Sequence, residues 1–338
     1  MIEQALVLRS VINGDYLIRF LSDQYSIGPW IECNYLLRGL NDTYKVRTHQ
    51  GLYVLRIYRV EVRADYIDYE LSIINKLSEV LLNKTTQVAL PIRKLDNSFC
   101  SEIKAPEGNR YAVLFQFAEG EEYTLNDEDS CFLFGQSAAE LHLAMDRITV
   151  ELPKHDLDIN FLIRQSVERI INYIGNDHTQ TDFLLEFANK LCEIIERRIE
   201  LGLDWGICHG DMHGNNNVQF NEGIFTHIDF EWSCKGWRSY DLAQVLISRR
   251  RHHQIDQANT LWNAIIKGYR TVRPFSENDE KAVEDFIIVR RLWVMNLDVA
   301  FIHSYSGSLD YGEDWLNGFI KEFKEYLSKK FEEGKSIR

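Results

Sequence analysis

Proline is scarce in this sequence: 5 prolines occur among 338 residues, so no stretch is typical of a proline-rich linker. No apolar run approaches the length that a membrane-spanning helix needs, and the N-terminal residues lack the charged-then-apolar pattern of a secretory leader. The 6 cysteines form no C-x-x-C pair, and their spacing suggests neither a zinc site nor a disulfide framework. We therefore expect a cytoplasmic protein without a membrane partner, whose thiols are reduced and mainly structural.

Basic residues are outnumbered by acidic ones, and the formal net charge is -13 at pH 7. Nucleic-acid binding needs clustered Lys and Arg to neutralise phosphates. Only residues 249–253 form a basic run, which fits a solvated helix face, so we predict no nucleic-acid partner. An acidic protein can instead steer a cationic substrate towards its site.

The spacing of apolar residues changes along the chain from strand-rich to helix-rich, which predicts an α+β fold. The predicted elements are a helix over 2–25 with a break near 13–14, β-rich runs over 31–58 with a hairpin turn at 49–51, a helix over 64–82, two strands over 88–118, and helices after residue 120 with a β-rich interruption at 206–232. A small sheet-rich front and a large helical back suggest two lobes, residues 1–118 and 119–338.

The strongest functional signal is the motif His209-Gly210-Asp211-Met212-His213-Gly214-Asn215-Asn216, which is followed by Ile228-Asp229-Phe230. Phosphoryl transfer needs one Asp to align a hydroxyl and accept its proton, and an Asn and a second Asp to hold magnesium. Asp211, Asn216 and Asp229 supply this set. An alternative interpretation makes His209, Asp211 and His213 the alternating metal ligands of a hydrolase.

The pattern H-G-D-x-H-x-x-N followed by I-D-F resembles the aminoglycoside phosphotransferase/choline kinase superfamily, which has a protein-kinase-like fold. Three further segments carry the resemblance: Gly39–Val46 in front, Phe134-Gly135 with Ala139–His142 in a helix, and Gly236–Ala243 behind. The resemblance implies a small β-rich nucleotide-binding lobe, a large mainly α-helical catalytic lobe, and ATP and Mg²⁺ as cofactors. It also implies that Asp211 is catalytic, that Asn216 and Asp229 hold the metal, and that Asp241 supports the catalytic loop.

The same resemblance implies which residues bind the nucleotide. Arg56 stands where kinases place the lysine that holds the phosphates, with Lys45 as the alternative, and Glu70 would pair with whichever cation serves. The Gly39 loop would cover the phosphates and the segment from Gln116 would bind adenine. The remaining predicted contacts are Asn41, Asp42, Thr43 and Ala118.

The acceptor is expected to be a small molecule with a hydroxyl group and a cationic amine, such as an aminoglycoside-like antibiotic, an amino alcohol or a homoserine-type metabolite. Glu231 is the first candidate to bind the amine, and a salt bridge within its lobe is the alternative. Aromatic and acidic residues near the C-terminus could also suit an ammonium group: Trp293, Asp298, Tyr305, Asp310, Tyr311, Glu313, Asp314 and Trp315. Two alternative functions stay open, a protein-serine/threonine kinase and a nucleotide-binding pseudokinase. We expect the protein to be a monomer or a homodimer.

Overall fold

The computed structural model describes residues 6–81, 85–152, 154–220, 223–302 and 311–336. The chain divides into two compact units. The first, which we call the sheet unit, comprises Met1–Thr124, Arg147–Lys154 and Asn217–Glu231. The second, the helical unit, comprises Leu125–Asp146, His155–Asn216 and Trp232–Arg338. The division at residue 118 stays a prediction about the lobes.

Strands predominate before residue 120 and helices after it, as the apolar spacing predicts. The strands are β1 (Trp30–Arg38), β2 (Asp42–Thr48), β3 (Gly51–Ile57), β4 (Thr86–Val88), β5 (Cys100–Ala105), β6 (Gly108–Gln116), β7 (Trp205–Cys208), β8 (Asn217–Phe220), β9 (Ile224–His227) and β10 (Cys234–Trp237). The helices are α1 (Gly14–Leu21), α2 (Ala64–Val80), α3 (Glu128–Met145), α4 (Gln165–Ile174), α5 (Thr181–Glu200), α6 (Arg238–His252), α7 (Ile255–Val272), α8 (Glu277–Ala300) and α9 (Glu313–Ser336).

The sheet unit contains a five-stranded antiparallel sheet in the order β1-β2-β3-β6-β5. The predicted hairpin is confirmed, because β2 and β3 pair from Asp42 with Ile57 to Thr48 with Gly51. Gly51 has a φ of 139°, which favours glycine at the turn. Residues of β2 alternate between buried and more exposed positions, as expected for a sheet with one face on a core.

The predicted helix over 2–25 is wrong in extent. Helix α1 begins only at Gly14, because the Asn13 side chain accepts hydrogen bonds from the backbone N–H groups of Asp15 and Tyr16 and so caps a new helix. Residues 6–13 are not helical, and Leu6 is fully exposed. Residues 1–5 lie outside the described ranges.

The sheet unit contains a second, three-stranded sheet, which fixes the position of the segment after β9 that carries Asp229. Its strand order is β4-β9-β8, with β4 parallel and β8 antiparallel to β9. Phe225 and His227 on β9 are buried, so the strand is fixed immediately before Asp229.

In the helical unit, one face of α3 packs inwards: Phe134, Ala138, Leu141 and Met145 are all buried. Helices α3 and α7 cross closely at Gly135, where a Cβ atom would lie 2.0 Å from the Ile265 carbonyl oxygen. A two-stranded ribbon of β7 and β10 holds the stretch before His209. In the described ranges, no helix is both long and apolar enough to span a membrane.

Candidate active site

A buried ion-pair cluster in the sheet unit joins three of the predicted residues. The Arg56 guanidinium on β3 donates through Nη1 to Glu70 Oε1 of α2 at 2.9 Å. Its Nη2 atom lies 3.1 Å from Asp229 Oδ1. Glu70 is 1 % exposed and also accepts a hydrogen bond from the Tyr58 hydroxyl at 2.8 Å. The structure therefore brings together Arg56, Glu70 and Asp229, to which the resemblance assigns roles in binding the nucleotide and the metal.

Arg56, rather than Lys45, lies beside Glu70 and Asp229, and which of the two cations holds the phosphates stays a prediction. Lys45 lies on the exposed face of β2, opposite the buried Tyr44 and Val46. Burial alone would lower the pKa of Arg56, but the Asp229 and Glu70 carboxylates outweigh it and raise that pKa. The guanidinium is thus held charged between two carboxylates, where it can receive an anionic phosphate.

Asp229 is held in an unusual backbone conformation, with a φ of 66°. Aspartate is one of the few residues other than glycine that visits this left-handed region at modest cost. Such conformations persist where the surroundings fix them, and they cluster at functional sites. Its Oδ1 atom faces Arg56, and Oδ2 has no hydrogen-bond or ion-pair partner among the described residues.

The predicted acceptor residue Glu231 forms a polar cluster with the loop between β1 and β2. Its carboxylate pairs with Arg59, which follows β3, and accepts a hydrogen bond from Asn41 Nδ2 at 2.6 Å. Asn41 Oδ1 in turn accepts from the Arg59 backbone N–H at 3.0 Å. These contacts favour the salt-bridge interpretation of Glu231, and its role at the acceptor stays a prediction.

The other predicted nucleotide residues have varied surroundings. Asp42 is buried, and its carboxylate binds Arg110 at 2.6 Å and Arg9 at 2.8 Å, so the side chain anchors the sheet. A contact of the Asp42 backbone with a phosphate stays a prediction. The Gly39 N–H donates to the Asn41 carbonyl at 3.0 Å and shapes the loop.

Thr43 and the segment from Gln116 to Ala118 complete this set. Thr43 lies on β2, in register with Arg56 on β3. Gln116 ends β6, and its backbone N–H donates to the Leu90 carbonyl at 2.8 Å, so that amide is already engaged. Ala118 follows in the loop after β6. Their contacts with adenine and phosphate stay predictions.

In the helical unit, Asp241 organises the loop that carries Asp211, as the resemblance implies. Asp241 is fully buried at the start of α6. Its Oδ2 atom accepts from the His209 N–H at 2.6 Å and its Oδ1 atom from the Gly210 N–H at 2.8 Å. Gly210 has a φ of 81°, and a Cβ atom there would lie 2.1 Å from the Trp232 carbonyl oxygen. The loop therefore requires both the carboxylate and the glycine.

Asp241→Asn is expected to destabilise the protein by about 1–3 kcal/mol, because an amide nitrogen would replace an acceptor and leave a buried N–H unsatisfied. Urea unfolding followed by circular dichroism measures the change. Glu193→Gln, the same carboxylate-to-amide change at an exposed position of α5, is the matched control. Equal unfolding free energies for both variants would mean that Asp241 does not hold the loop.

Histidine side chains support this loop structurally. Burial lowers the pKa of His142 to about 4, so the ring is neutral at pH 7. Its Nε2 lies 3.2 Å from Asp241 Oδ2 and its Nδ1 2.8 Å from the Tyr269 hydroxyl. Because a carboxylate only accepts, Nε2 carries the proton. His209 is fully buried, and its Nδ1 accepts from the Asp211 N–H at 3.3 Å.

Asp211 is paired with an arginine that the sequence does not single out. Arg290 of α8 donates through Nη2 to Asp211 Oδ1 at 2.5 Å, and its guanidinium lies 4.4 Å from the centre of the Trp293 ring. Burial would raise the pKa of Asp211, but Arg290, His213 and His209 outweigh it and keep that pKa below its ordinary value. The carboxylate therefore stays ionised and can accept a hydrogen bond from a hydroxyl group.

Asn216 holds the other side of Asp211. Its Nδ2 donates to the Asp211 carbonyl at 2.8 Å and to Asp211 Oδ2 at 3.2 Å. This fixes the amide orientation, and Asn216 Oδ1 has no hydrogen-bond partner in the described part of the chain. An amide oxygen without a partner suits Mg²⁺, which prefers oxygen ligands.

The predicted oxygen ligands suit a magnesium ion that substrate phosphates also bind. They suit a metal ion bound by the protein alone less well. In the described ranges, no group of three or more His, Cys, Asp or Glu side chains could hold a metal ion. Mg²⁺ usually takes one or two protein ligands together with substrate phosphates, and each unit contains one predicted ligand, Asp229 in the sheet unit and Asn216 in the helical unit. A hydrolase metal site on His209, Asp211 and His213 is disfavoured, because His209 is buried in the loop.

The predicted acceptor residues near the C-terminus have mainly structural contacts. Trp293 is buried, and its ring packs against Arg290 and Trp232. Trp315 Nε1 donates to Asp298 Oδ2 at 3.0 Å, and Tyr311 packs edge-on against Trp315. Glu313 lies 3.0 Å from His178 Nε2, and Asp314 is exposed at the start of α9. Tyr305 and Asp310 lie outside the described residues.

Two arginines of the site, Arg290 and Arg59, were not predicted from the sequence. Both are far along the chain from their partners: Arg290 is 79 positions from Asp211, and Arg59 is 172 positions from Glu231. The one available signal was weak: Arg290 directly follows the apolar run Phe286–Val289, where a charged side chain that is buried needs a partner.

Comparison with known proteins agrees with the geometry. A protein of Deinococcus radiodurans is 30% identical over 86% of this chain and 83% of its own length. The homoserine kinase of Neisseria meningitidis serogroup B is 28% identical over 80% of this chain and 83% of its own length. The solved structure of a microcompartment-associated aminopropanol kinase superposes with a TM-score of 0.73 and 19% identity, over 93% of this chain and 98% of that one.

These similarities confirm the predicted fold, with a β-rich N-terminal part and a mainly helical C-terminal part like those of kinases. The prediction of an enzyme that transfers phosphate to a hydroxyl group of a small molecule is likewise confirmed. The decisive match is to the sequence model of the phosphotransferase enzyme family, which spans residues 38–275 and so includes Arg56, Asp211 and Asp229. On that match, the chain belongs to the phosphotransferase enzyme family.

Proposed function

We propose that this protein transfers the γ-phosphate of ATP, in the presence of Mg²⁺, to a hydroxyl group of a small molecule that carries an amine. The observation that carries the ATP part is the pairing of Arg56 with both Glu70 and Asp229. A cation between a helix carboxylate and a candidate metal ligand is the arrangement that kinases use to hold triphosphates.

The chain's own residues would position the reacting groups. Bound Mg²⁺-ATP would supply the phosphoryl group and neutralise charge that develops on it. Asp211 would orient the acceptor hydroxyl and accept its proton as the oxygen bonds to the γ-phosphorus and the bond to the bridging oxygen of ADP breaks. Arg290 and Asn216 would keep the Asp211 carboxylate in one orientation. Arg56 would hold the phosphates, and Asn216 and Asp229 would hold the metal.

The names of two similar proteins support an amine on the acceptor, because aminopropanol and homoserine both carry one. The test is a screen of hydroxylated amines, amino acids and aminoglycoside-like antibiotics for acceptor-dependent ADP release. Turnover that needs ATP and Mg²⁺ excludes a pseudokinase. Turnover only with a protein acceptor would favour the protein-serine/threonine kinase alternative, and a neutral sugar as the best acceptor would contradict the amine.

Glu231→Gln separates a role in nucleotide binding from a role at the acceptor. Glu231 holds Arg59 and Asn41 at the predicted phosphate-covering loop, so we expect the KM for Mg²⁺-ATP to rise about tenfold, as for the loss of a charge-assisted hydrogen bond. The KM for the acceptor should change little. Steady-state kinetics with each substrate varied in turn measure both constants.

The matched control for this variant is Glu32→Gln. Glu32 also pairs with an arginine of the sheet unit, Arg47, but that pair is exposed to solvent. It should leave both constants unchanged, because exposed ion pairs contribute little. A rise in the acceptor KM alone with Glu231→Gln would assign Glu231 to the acceptor instead.

The cytoplasmic location, the monomeric or homodimeric state and the absence of a nucleic-acid partner stay predictions of the sequence. Light scattering of the purified protein measures the oligomeric state directly. A tetramer or larger assembly would contradict the prediction.

A further inference from the structure

A pocket of about 180 Å³ lies beside the loop that carries Asp211, and every described residue that lines it belongs to the helical unit. We call it the arginine pocket, after Arg251 of α6 and Arg290 and Arg291 of α8 in its lining. Histidines His213 and His252 also line it, and none of its described lining residues is Asp or Glu. The chain has a net charge of -13, so the cationic side chains of this pocket give it a charge opposite in sign to that of the whole protein.

The three arginines differ in what neutralises them. Arg290 is paired with Asp211 at 2.5 Å, and Arg291 Nε donates to both carboxylate oxygens of Glu322 at 2.9 Å. Within the described ranges, Arg251 has no hydrogen-bond or ion-pair partner. Arg251 is exposed to solvent, and partial desolvation together with the neighbouring guanidiniums of Arg291 and Arg290 lowers its pKa, whereas Glu322 raises it. An arginine remains charged in proteins, so Arg251 presents a charge at the pocket that no described carboxylate binds directly.

A buried acceptor in the same lining also lacks a partner. Gln244 is 2 % exposed, and its Nε2 donates to the Gly210 carbonyl at 3.1 Å. That bond fixes the amide orientation, and the buried Oε1 atom has no hydrogen-bond partner in the described part of the chain. Buried carbonyl oxygens are nearly always hydrogen-bonded in native proteins. Gln244 Oε1 therefore suits an N–H or O–H group of a bound molecule.

We propose that the acceptor carries a carboxylate, that Arg251 binds this carboxylate in the arginine pocket, and that Gln244 Oε1 accepts a hydrogen bond from an amine or hydroxyl group of the same molecule. The inference rests on the proposed kinase function and narrows its amine-bearing acceptor to hydroxylated amino acids. The planar guanidinium matches a carboxylate through two parallel hydrogen bonds. The location fits as well, because Arg290 connects the pocket lining to Asp211.

The test compares pairs of acceptors that differ only in the carboxylate: homoserine, threonine and serine, each against its decarboxylated amino alcohol. Glycerate and glycerol phosphate are added to separate a carboxylate from an amine and from a phosphate. For each compound, kcat/KM is measured by ADP release with saturating Mg²⁺-ATP. We expect the carboxylated member of the best pair to be preferred at least about tenfold, as for one charge-assisted contact.

The variant Arg251→Gln should lower kcat/KM for the preferred acid by about tenfold to a hundredfold, and should leave the decarboxylated partner unchanged. Arg250→Gln is the matched control, since Arg250 is adjacent in sequence, binds Glu284 at 2.5 Å and 2.9 Å, and does not line the pocket. It should leave both rates unchanged.

The outcomes separate this inference from the proposed function. Equal or better use of the amino alcohols, or an Arg251→Gln variant without acid-specific loss, overturns the carboxylate site while the kinase function stands. Glycerol phosphate as the best acceptor, with dependence on Arg251, would make the bound anion a phosphate and overturn the carboxylate. Absence of ADP release with every hydroxylated compound would overturn the proposed function and this inference with it.

Discussion

Asp211→Asn is expected to lower kcat by about 10²- to 10⁴-fold, the range for loss of a positioned general base, with ATP affinity largely unchanged. The reason is geometric. Asp211 is the ionised carboxylate held between Arg290 and Asn216, and no role in nucleotide binding is proposed for it. An Asn side chain keeps the shape but cannot accept the hydroxyl proton. Turnover in a coupled ADP assay and calorimetric titration with Mg²⁺-ATP measure the two quantities.

The control must separate lost chemistry from a disturbed loop, because Asn at this position leaves the Arg290 guanidinium without its counter-ion. Arg290→Gln removes the same ion pair but keeps the carboxylate, which Asn216 still holds. We expect this variant to lose less activity than Asp211→Asn. Equal losses would mean that the ion pair, rather than proton transfer to Asp211, accounts for the effect, and near-normal turnover of Asp211→Asn would remove Asp211 from the role of base.

The sequence could predict those contacts of the site that join residues close together along the chain, within one loop or on a strand and the helix that follows it. Asp211 and Asn216 lie five residues apart in one loop, and their contact follows from that loop. Arg56 and Glu70 are 14 residues apart, on a strand and the helix that follows it. In such cases local geometry limits where the side chains can be, so residue type and spacing carry the information.

The contacts that could not be predicted join residues that are distant along the chain. Arg290 and Asp211 meet because α8 packs on α6 and lies beside the loop that carries Gly210 and Asp211, and the spacing along the sequence does not encode that crossing. Glu231 could have faced a substrate or an arginine, and the choice depends on where Arg59 lies. The left-handed conformation of Asp229 also could not be predicted from the sequence, because aspartate occurs in many conformations and only the fold selects this one.

The left-handed backbone conformation of Asp229 determines which substitutions can test whether Asp229 binds the metal. Asp229→Ala is expected to abolish the magnesium-dependent part of nucleotide binding, because it removes the carboxylate oxygen that we propose as a metal ligand. An alanine would also be strained in the left-handed region, by roughly 1–2 kcal/mol. Asp229→Asn is the sharper variant, since asparagine tolerates that φ and retains one amide oxygen. Calorimetric titration with ATP at increasing Mg²⁺ concentrations measures the dependence for each.

The two substitutions then distinguish metal binding from backbone strain. If Asp229 holds the metal through its charge, both variants lose most of the magnesium dependence, while Asn216→Ala only shifts it to higher Mg²⁺ concentrations because one neutral ligand is removed. If strain is the cause, Asp229→Ala alone is impaired and is also less stable to urea. Glu70→Gln is the matched control, since it removes the other carboxylate that holds Arg56 without removing a proposed metal ligand. It should weaken ATP binding equally at low and high Mg²⁺, and a magnesium-specific loss in that variant would contradict the assignment of Asp229.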